Sequence, residues 1–365
     1  MRKLRVGIIG TGMALEKLHY PAFQRLADRY EIAALADVDR AKAASWAQRL
    51  QLGPDRVYTD YREMLGRNDL DVVDIMVPIE LNYEVTEETA RRLSGRRAGI
   101  ICEKPLAPTM AQAERARNLA KQYGLPIMIA ENYRYNQEID LIRDLVREKR
   151  VGDVYYFMQN RVVDFPADMI KNRFPAREWR QHPEFPGGAF TDTGVHDLAG
   201  LRHIFGAIDR VQAFGRPMAS DYSPYAVLTA NLRFQSGVIG QYSFFCAGRE
   251  MQRPLVGLRI FGTEGMIYLE ERDCGTINLA LNDGRQERIP YQPQEGYYNE
   301  LLNFYNALTG KEQISVTPEV EYGDLGTVAA ILRSIREESI TGVDDGGGYA
   351  ERPEYPQPQA GQDLH

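Results

Sequence analysis

The sequence predicts an α/β protein with two domains. Strand-like apolar runs alternate with helix-like stretches through residue 130, which is the pattern of a parallel sheet joined by right-handed helical crossovers. From about residue 131 onward, strand-like runs follow one another across short turns, which indicates a mainly antiparallel sheet. The length of 365 residues also favours two hydrophobic cores over one.

The first predicted domain, residues 1–130, contains five strands and four helices. The strands are continuously apolar, as expected for a sheet that is covered on both faces. They are LRVGIIG, EIAALAD, DVVDIMVP, AGIICEKP and LPIMIAEN. The helices between them are ALEKLHYPAFQRLADRY, RAKAASWAQRL, EVTEETARRLSG and TMAQAERARNLAKQYG.

The second predicted domain, residues 131–338, begins with the helix QEIDLIRDLVREKR and the strand GDVYYFMQNRVV. The clearest hairpin is YAVLTANLRF-QSG-VIGQYSFF, where Gly237 can take the positive φ of a short loop. LVGLRIFGTEGMIYLE predicts a second hairpin with Gly265 in its turn. A late helix at 322–338 is a candidate to pack back on the first domain. Residues 339–365 are rich in Gly, Pro and Gln and are predicted to form a flexible tail.

Composition excludes several classes of function. The net charge of −7 does not indicate the basic surface that a nucleic-acid-binding protein needs. The three cysteines form no CxxC or Cys/His cluster, so neither a disulfide framework nor a structural metal site is expected. Cysteines that stay reduced are typical of cytoplasmic proteins. No apolar run reaches the length of about 18 residues that a membrane span needs. A cytoplasmic protein with a small-molecule ligand is therefore expected.

A glycine-rich turn follows the first predicted strand in the segment GTGMAL. Gly10 would permit the tight turn, and Gly12 would let the backbone approach a pyrophosphate at the helix N-terminus, whereas Leu15 replaces the third glycine of this fingerprint. Asp37 ends the second strand, where a carboxylate can accept hydrogen bonds from ribose hydroxyls and repel a 2′-phosphate. This pattern predicts a Rossmann domain that prefers NAD. The nearby Arg40 leaves NADP possible, and Asp37 can also be a simple turn residue.

Two later segments carry residues that are suited to acid–base chemistry. Lys104, in GIICEKPL, comes at the carboxyl end of a parallel strand, where ligands bind in such sheets. Asp192 and His196 are four residues apart in GGAFTDTGVHDL, so one helical turn brings them to the same side and the aspartate can orient the imidazole. The alternatives are an exposed loop lysine, a structural histidine and a helix-capping aspartate.

These motifs occur together and in a characteristic order: VGIIGTG…LHYPAF, YTDYREML, DVVDIMVP, CEKPLAPT, ENYRYN, GDVYYF and GGAFTDTGVHDL. Over roughly residues 4–338 the chain resembles the glucose–fructose oxidoreductase and inositol dehydrogenase (Gfo/Idh/MocA) family. The resemblance implies a Rossmann domain and a second α/β domain whose open, mainly antiparallel sheet forms an interface in a homodimer or homotetramer. It also implies reversible hydride transfer between NAD(P) and a carbinol of a sugar, a polyol or a sugar derivative.

The resemblance also implies roles for individual residues. His196 would accept the hydroxyl proton, Lys104 would hydrogen-bond the same oxygen, and Asp192 would hold the His–Lys pair, although either His196 or Lys104 can be the formal base. Asn82 stands where the family often has histidine, and Ala199 where it often has aspartate. The implied cofactor contacts are Gly10, Thr11, Gly12, Met13, Ala14, Leu15, Asp37, Arg40, Val77, Pro78, Asn82, Glu103, Lys104, Asn132 and Arg134.

The substrate pocket is expected between the two domains. Trp179 and Arg180 are the best candidates, because a similar Trp-Arg pair often precedes the double glycine of the family. The other candidates, each of which can equally be structural, are Arg161, Asn172 and Tyr297. Arg173, Arg177 and Arg180 suit an acidic or phosphorylated sugar, but a solvated face explains them equally well.

Two other functions stay open at this stage. One is a redox-neutral glycosidase that oxidises its substrate transiently and re-reduces it with retained NAD. The other is a non-catalytic regulator that senses the cofactor on the same fold, and the presence of Lys104, Asp192 and His196 argues against it. Net formation of NADH separates a dehydrogenase from the glycosidase.

Overall fold

Two β-sheets, each with its own apolar core, organise the computed structural model, which describes residues 2–170 and 178–347. The first sheet is parallel and has six strands. They are β1 (Leu4–Ile9), β2 (Tyr30–Ala36), β3 (Val57–Tyr58), β4 (Val72–Ile75), β5 (Gly99–Glu103) and β6 (Ile127–Ala130). Their order, β3-β2-β1-β4-β5-β6, confirms the predicted Rossmann domain. The sequence pattern did not reveal the two-residue strand β3.

Helices cover both faces of this sheet. They are α1 (Tyr20–Arg25), α2 (Arg40–Leu50), α3 (Tyr61–Met64), α4 (Asn82–Leu93), α5 (Met110–Ala116) and α6 (Leu119–Tyr123). A π-helical segment, Leu15–His19, leads into α1, and short 3₁₀ turns occur at Pro54–Arg56, Ile79–Leu81 and Asn132–Tyr135. The predicted helix over 109–124 is divided into α5 and α6.

Side-chain caps fix where two of these helices begin. The Asp39 carboxylate accepts hydrogen bonds from the backbone N–H groups of Ala41 and Lys42 at the start of α2. Thr109 accepts from Gln112 N at the start of α5. Each cap satisfies amide groups that have no partner within the helix, and is worth about 1 kcal/mol.

The second sheet has nine strands and is mainly antiparallel, as predicted. Among its described strands, only β7 and β10 pair in parallel. The strands are β7 (Val154–Val162), β8 (Ile208–Pro217), β9 (Tyr225–Phe234), β10 (Ile239–Phe245), β11 (Val256–Gly262), β12 (Gly265–Leu269), β13 (Thr276–Leu281), β14 (Gln286–Pro290) and β15 (Thr341–Gly342). Their order is β14-β13-β12-β11-β7-β10-β9-β8-β15.

Six further helices follow β6 within the described residues. They are α7 (Gln137–Arg147), α8 (Phe165–Ile170), α9 (Glu178–Gln181), α10 (Val195–Phe205), α11 (Gly296–Leu308) and α12 (Pro318–Glu337). A second π-helical segment, Phe190–Gly194, leads directly into α10. The apolar side chains of α7 and α10 pack in the core of the second sheet.

The two predicted hairpin glycines have different roles. Gly237 has a φ of 90° in the turn between β9 and β10, as the sequence predicts. Gly265 instead begins β12 and is not among the glycines with positive φ, so its assignment to the turn is wrong. A Cβ at Gly265 would lie 2.5 Å from the Ala280 carbonyl oxygen, which shows that close strand pairing requires glycine here.

The two late helices connect the domains. In α12, Val320 and Leu325 pack in the core of the first sheet, whereas Val328 and Ile331 pack in the core of the second. Helix α11 packs in the core of the first sheet, for example through Phe304. Residues 131–338 therefore do not all belong to the second domain, because the chain returns to the first sheet near its end.

The predicted tail of residues 339–365 begins too early. Thr341 and Gly342 pair with β8, and the Tyr322 hydroxyl donates to Asp344 at 2.7 Å, so this part of the tail is attached to the fold. Residues 348–365 lie outside the described residues. Within the described ranges, no helix has both the length and the apolar character that a membrane crossing requires.

Candidate active site

A cleft of about 1450 Å³ lies between the domains, at the carboxyl ends of the parallel strands. The glycine-rich turn and Lys104 line it from the first domain, and Asp192 and His196 line it from the second. Ligands bind at this edge of open parallel sheets, because the strand ends and helix N-termini converge there. The cleft is therefore the candidate active site.

The glycine-rich turn has the geometry that a dinucleotide requires. Gly10 has a φ of 92°, and a Cβ at this position would lie 2.2 Å from the Met76 carbonyl oxygen, so only glycine fits. A Cβ at Gly12 would meet nothing within 4 Å, so the backbone is open for close approach of a pyrophosphate. The chain is helical from Met13, so the N-terminal end of a helix lies beside that space, where a pyrophosphate is favoured.

Asp37 connects the end of β2 to this turn. Its Oδ2 accepts hydrogen bonds from Thr11 N at 2.7 Å and Thr11 Oγ1 at 2.8 Å, and its Oδ1 accepts from Asp39 N at 2.8 Å. Each carboxylate oxygen has about two acceptor sites, so capacity remains for a ribose hydroxyl. The position and charge of Asp37 fit the adenosine ribose of NAD.

Four predicted cofactor residues do not line the cleft. Leu15 is fully buried in the core, and Arg40 is exposed on α2. Asn82 is also fully buried, and its amide donates to the carbonyl oxygens of Glu103 and Pro105, so it braces the loop that carries Lys104. Arg134 is buried and donates to the Ala199 carbonyl oxygen. The predicted contacts that line the cleft are Gly10, Thr11, Gly12, Met13, Ala14, Asp37, Val77, Pro78, Glu103, Lys104 and Asn132.

Lys104 is fixed by Asp192 of the opposite domain. Its Nζ donates to Asp192 Oδ1 at 2.9 Å and to the Asp192 carbonyl oxygen at 2.6 Å, while Arg180 Nε donates to Asp192 Oδ2 at 2.8 Å. Burial alone would raise the pKa of Asp192, but the charges and hydrogen bonds of Arg180 and Lys104 hold it well below its usual range. Asp192 is thus a carboxylate shared by two cations.

His196 is oriented by Glu131, not by Asp192 as the four-residue spacing suggests. Its Nδ1 hydrogen-bonds Glu131 Oε1 at 2.6 Å, and its ring stacks on Tyr133 with centroids 4.3 Å apart. Asp192 uses its carboxylate on Lys104 and Arg180 instead. Sequence reasoning missed Glu131, although an acidic residue directly after β6 was a usable signal, because it lies at the ligand-binding edge of the sheet.

A buried histidine supports the loop that carries Lys104. His19 Nδ1 lies 2.8 Å from Asp74 Oδ2, and His19 Nε2 lies 3.0 Å from Glu103 Oε1. Burial lowers the pKa of His19, but the two carboxylates outweigh burial and raise it well above its ordinary value. Glu103 Oε2 also accepts from Lys104 N at 3.1 Å. Glu103 therefore anchors this loop and also lines the cleft.

The predicted substrate residues Arg161, Trp179, Arg180 and Tyr297 all line the cleft. Arg161 donates to the Tyr133 hydroxyl at 2.8 Å, and the Arg180 guanidinium lies 4.1 Å from the Trp179 ring centroid. Asn172, Arg173 and Arg177 lie outside the described residues. A further cleft residue that sequence reasoning missed is Arg272.

Comparison with known proteins identifies the family. Residues 4–131 match the oxidoreductase family domain with an NAD-binding Rossmann fold, and residues 139–268 match the Gfo/Idh/MocA C-terminal domain. The chain belongs to the Gfo/Idh/MocA family. It is therefore an oxidoreductase whose first domain binds NAD, as the motifs predict.

Individual relatives span nearly the whole chain. An uncharacterized protein of Saccharomyces cerevisiae is 26% identical over 346 residues, which cover 92% of this chain and 96% of that protein. The 1,5-anhydro-D-fructose reductase of Ensifer adhaerens is 26% identical over 330 residues, which cover 87% and 92%. The structure of levoglucosan dehydrogenase with NADH and L-sorbose has a TM-score of 0.82 at 22% identity and covers 94% of this chain and 100% of that chain, so it shares the fold.

Proposed function

We propose that the protein transfers hydride between NAD and a carbinol of a sugar, a polyol or a related sugar derivative. The main support is that Lys104 and His196 line one cleft with the glycine-rich turn, and that each is held by a buried carboxylate. Sugar-derived substrates are supported by the relatives, which include a reductase of 1,5-anhydro-D-fructose. This arrangement suits removal of a hydroxyl proton beside a hydride acceptor.

The hydrogen bonds support different roles for the two groups. An ammonium has three donors, and Lys104 uses two of them on the Asp192 carbonyl and carboxylate oxygens. The third remains for the substrate oxygen, where it stabilises developing negative charge. Lys104 is therefore proposed as the charged donor.

His196 is proposed as the general base. Its Nδ1 is held by Glu131, and Nε2 has no hydrogen-bond partner among residues 2–170 and 178–347. Nε2 is therefore proposed to take the hydroxyl proton, and the Glu131 carboxylate to stabilise the imidazolium that forms. Bound NAD supplies the acceptor for the hydride in this direction. Arg161, Trp179, Arg180 and Tyr297 are proposed to border the substrate.

The test is a panel of sugars and polyols incubated with the protein and NAD, followed by absorbance of NADH. Net NADH formation that requires one of these compounds supports the proposal. Cleavage of an aryl glycoside without net NADH would instead identify a redox-neutral glycosidase. Tight NAD binding without turnover of any compound in either direction would favour a cofactor-sensing regulator.

A homodimer or homotetramer in the cytoplasm completes the proposal. The second sheet has exposed apolar side chains on the face away from its core, namely Met158, Phe214 and Ile239. Such a surface is typical of a subunit interface. Light scattering coupled to size exclusion measures the assembly, and Ile239→Lys is expected to weaken it. A mass equal to one chain at micromolar concentration would contradict this part of the proposal.

A further inference from the structure

Arg272 follows β12 and lines both the interdomain cleft and a small adjoining cavity beside His196. Its guanidinium carbon lies 4.4 Å from the centroid of the Tyr133 ring. The same ring stacks on His196 at 4.3 Å. Arg272 is therefore one side chain away from the group that is proposed to accept the substrate proton.

The other cations in this part of the cleft already have counter-charges. Lys104 and Arg180 share the Asp192 carboxylate. Arg161 Nε lies 3.8 Å from Asp197 Oδ2, and Arg161 also donates to a tyrosine hydroxyl. These three side chains are held by the protein itself, so they have less capacity left for a further anion.

The Arg272 guanidinium, in contrast, makes no hydrogen bond or ion pair with any residue of the described chain. Burial lowers the pKa of Arg272, and the charge of the exposed neighbour Asp273 opposes this effect from beyond ion-pair distance. A guanidinium nevertheless stays protonated at ordinary pH. A positive charge without a close counter-charge therefore faces the cleft.

A second acid near Arg272 does not supply the missing charge at neutral pH. Glu138 lines the same small cavity and is fully buried. Burial is the main cause that raises the pKa of Glu138 to about 8; its own backbone N–H opposes this shift, and the charges of Asp273 and Asp140 add to it. The side chain is mostly protonated at pH 7. A half-buried cation without an anion is unfavourable, so an anionic ligand would be bound favourably here.

We propose that Arg272 binds a carboxylate of the substrate and that the substrate is a sugar acid or a similar polyhydroxy acid. This inference rests on the proposed function, because it names the substrate class for the same cleft. A planar guanidinium donates two parallel hydrogen bonds to a carboxylate. One unpaired guanidinium matches one monoanionic group, whereas a phosphomonoester carries close to two charges and three acceptor oxygens.

The position of Arg272 favours the substrate over the cofactor as the source of this anion. The pyrophosphate of NAD is expected at Gly10–Gly12, on the first domain. Arg272 belongs to the second domain and contacts the aromatic ring beside His196. The carboxylate it binds would therefore lie near the carbinol that reacts.

The test compares Arg272→Gln and Arg272→Lys with wild type on matched pairs, D-glucuronate with D-glucose and D-galacturonate with D-galactose. NADH formation gives kcat/KM for each compound. Wild type is expected to prefer the acids, and Arg272→Gln to lower the acid-to-neutral ratio of kcat/KM by about 10- to 100-fold, mainly through KM. The acid-to-neutral ratio of Arg272→Lys should lie between those of wild type and Arg272→Gln. Arg285→Gln removes an exposed arginine that pairs with Asp283 outside the cleft and should keep the wild-type ratio.

Two results in these assays would overturn the inference. One is that wild type has the same kcat/KM for the acid and the neutral sugar, or that Arg272→Gln lowers kcat/KM equally for both sugars. The other is a preference for D-glucose 6-phosphate over D-glucuronate. Calorimetry of uronate binding to the NADH-loaded protein separates this inference from the proposed function. If Arg272→Gln abolishes uronate binding but no compound is turned over, the proposed function fails and the role of Arg272 stands. Unchanged or absent binding overturns the role of Arg272.

Discussion

Lys104 and His196 are held in a crossed arrangement, because each group is fixed by a carboxylate from the other side of the cleft. Lys104 follows β5 and binds Asp192 of the second domain, 88 residues later. His196 belongs to the second domain and binds Glu131, which directly follows β6. The geometry of both groups therefore depends on how the domains pack together.

The two carboxylates differ in what else they bind. Both oxygens of Asp192 are used, one by Lys104 and one by Arg180, whereas Glu131 Oε1 serves His196 and Tyr133 N and its Oε2 has no partner among the described residues. Asp192 holds the Lys104 ammonium in position as a hydrogen-bond donor. Glu131 holds one imidazole nitrogen of His196, so its other nitrogen can face the substrate. This difference supports Lys104 as the donor and His196 as the base.

The largest expected effect comes from removing these two groups. His196→Ala and Lys104→Ala should each lower the single-turnover rate of hydride transfer by about 10²–10⁴-fold, because each removes one proton-transfer or charge-stabilising contact in the transition state. The double variant should lose less than the product of the single losses, since the groups act on the same oxygen. Rapid-mixing absorbance of NADH measures this step. A near-normal rate in both single variants would refute the assignment.

The paired carboxylates give the next largest effects and test the difference between them directly. Asp192→Asn leaves two buried cations without a counter-charge and should lower the free energy of unfolding by about 3 kcal/mol. Glu131→Gln keeps a side chain that can hydrogen-bond His196, so it should mainly lower kcat with little effect on unfolding. Urea denaturation beside steady-state kinetics makes this comparison. An equal loss of unfolding free energy in both variants would show that the two carboxylates contribute equally to stability, which would contradict the proposed difference.

The pH dependence of the Asp192→Asn effect follows from the direction of the pKa shift. The pKa of Asp192 is lower in the folded protein than in the unfolded chain, where it is about 3.9. Its stabilisation is therefore fully present above about pH 4 and is lost as the pH falls toward the folded value. The stability gap between wild type and Asp192→Asn should stay constant from pH 6 to 8 and narrow below about pH 4. A gap that widened in acid would contradict the assigned ion pairs.

Two glycine variants test the cofactor side of the cleft independently of the Lys104–Asp192 and His196–Glu131 pairs. Gly10→Ala should cost about 2 kcal/mol of stability, because its positive φ and its contact with the Met76 carbonyl oxygen exclude a Cβ. Gly12→Ala meets no protein atom within 4 Å, so it should fold normally and instead weaken NAD binding by about tenfold. Thermal melting and NADH fluorescence titration measure the two effects. A normal NAD affinity in Gly12→Ala would contradict the placement of the pyrophosphate at this turn.

The contrast between local and distant contacts explains how much the sequence could predict. The glycine-rich turn, Asp37 and the strands around them depend on neighbouring residues, and the parallel direction of the strands then follows from the helical crossovers between them. The sequence also marked Lys104, Asp192 and His196 individually, because each lies in a recognisable motif.

The pairing of these groups was not predictable from local pattern. The helical spacing suggested that Asp192 pairs with His196. Domain packing instead pairs Asp192 with Lys104 and Glu131 with His196, over separations of 88 and 65 residues. Arg272 carries no motif, so only the missing counter-charge in the folded cleft reveals it. Asn82 and Arg134 lie in motif segments, yet packing turns both into buried supports.

The smallest expected effect concerns the choice of cofactor. Asp37→Asn removes the negative charge that would repel a 2′-phosphate but keeps an amide oxygen that can accept from Thr11. It should raise the NADP-to-NAD ratio of kcat/KM by about three- to tenfold, with little change in melting temperature. Asp39→Asn is the matched control, because Asp39 caps α2 without lining the cleft and asparagine caps helices equally well. If Asp39→Asn moved the ratio as much as Asp37→Asn, the preference would reflect the overall charge of this edge and not a contact at the ribose. If neither variant moved it, Asp37 would serve only to hold Thr11.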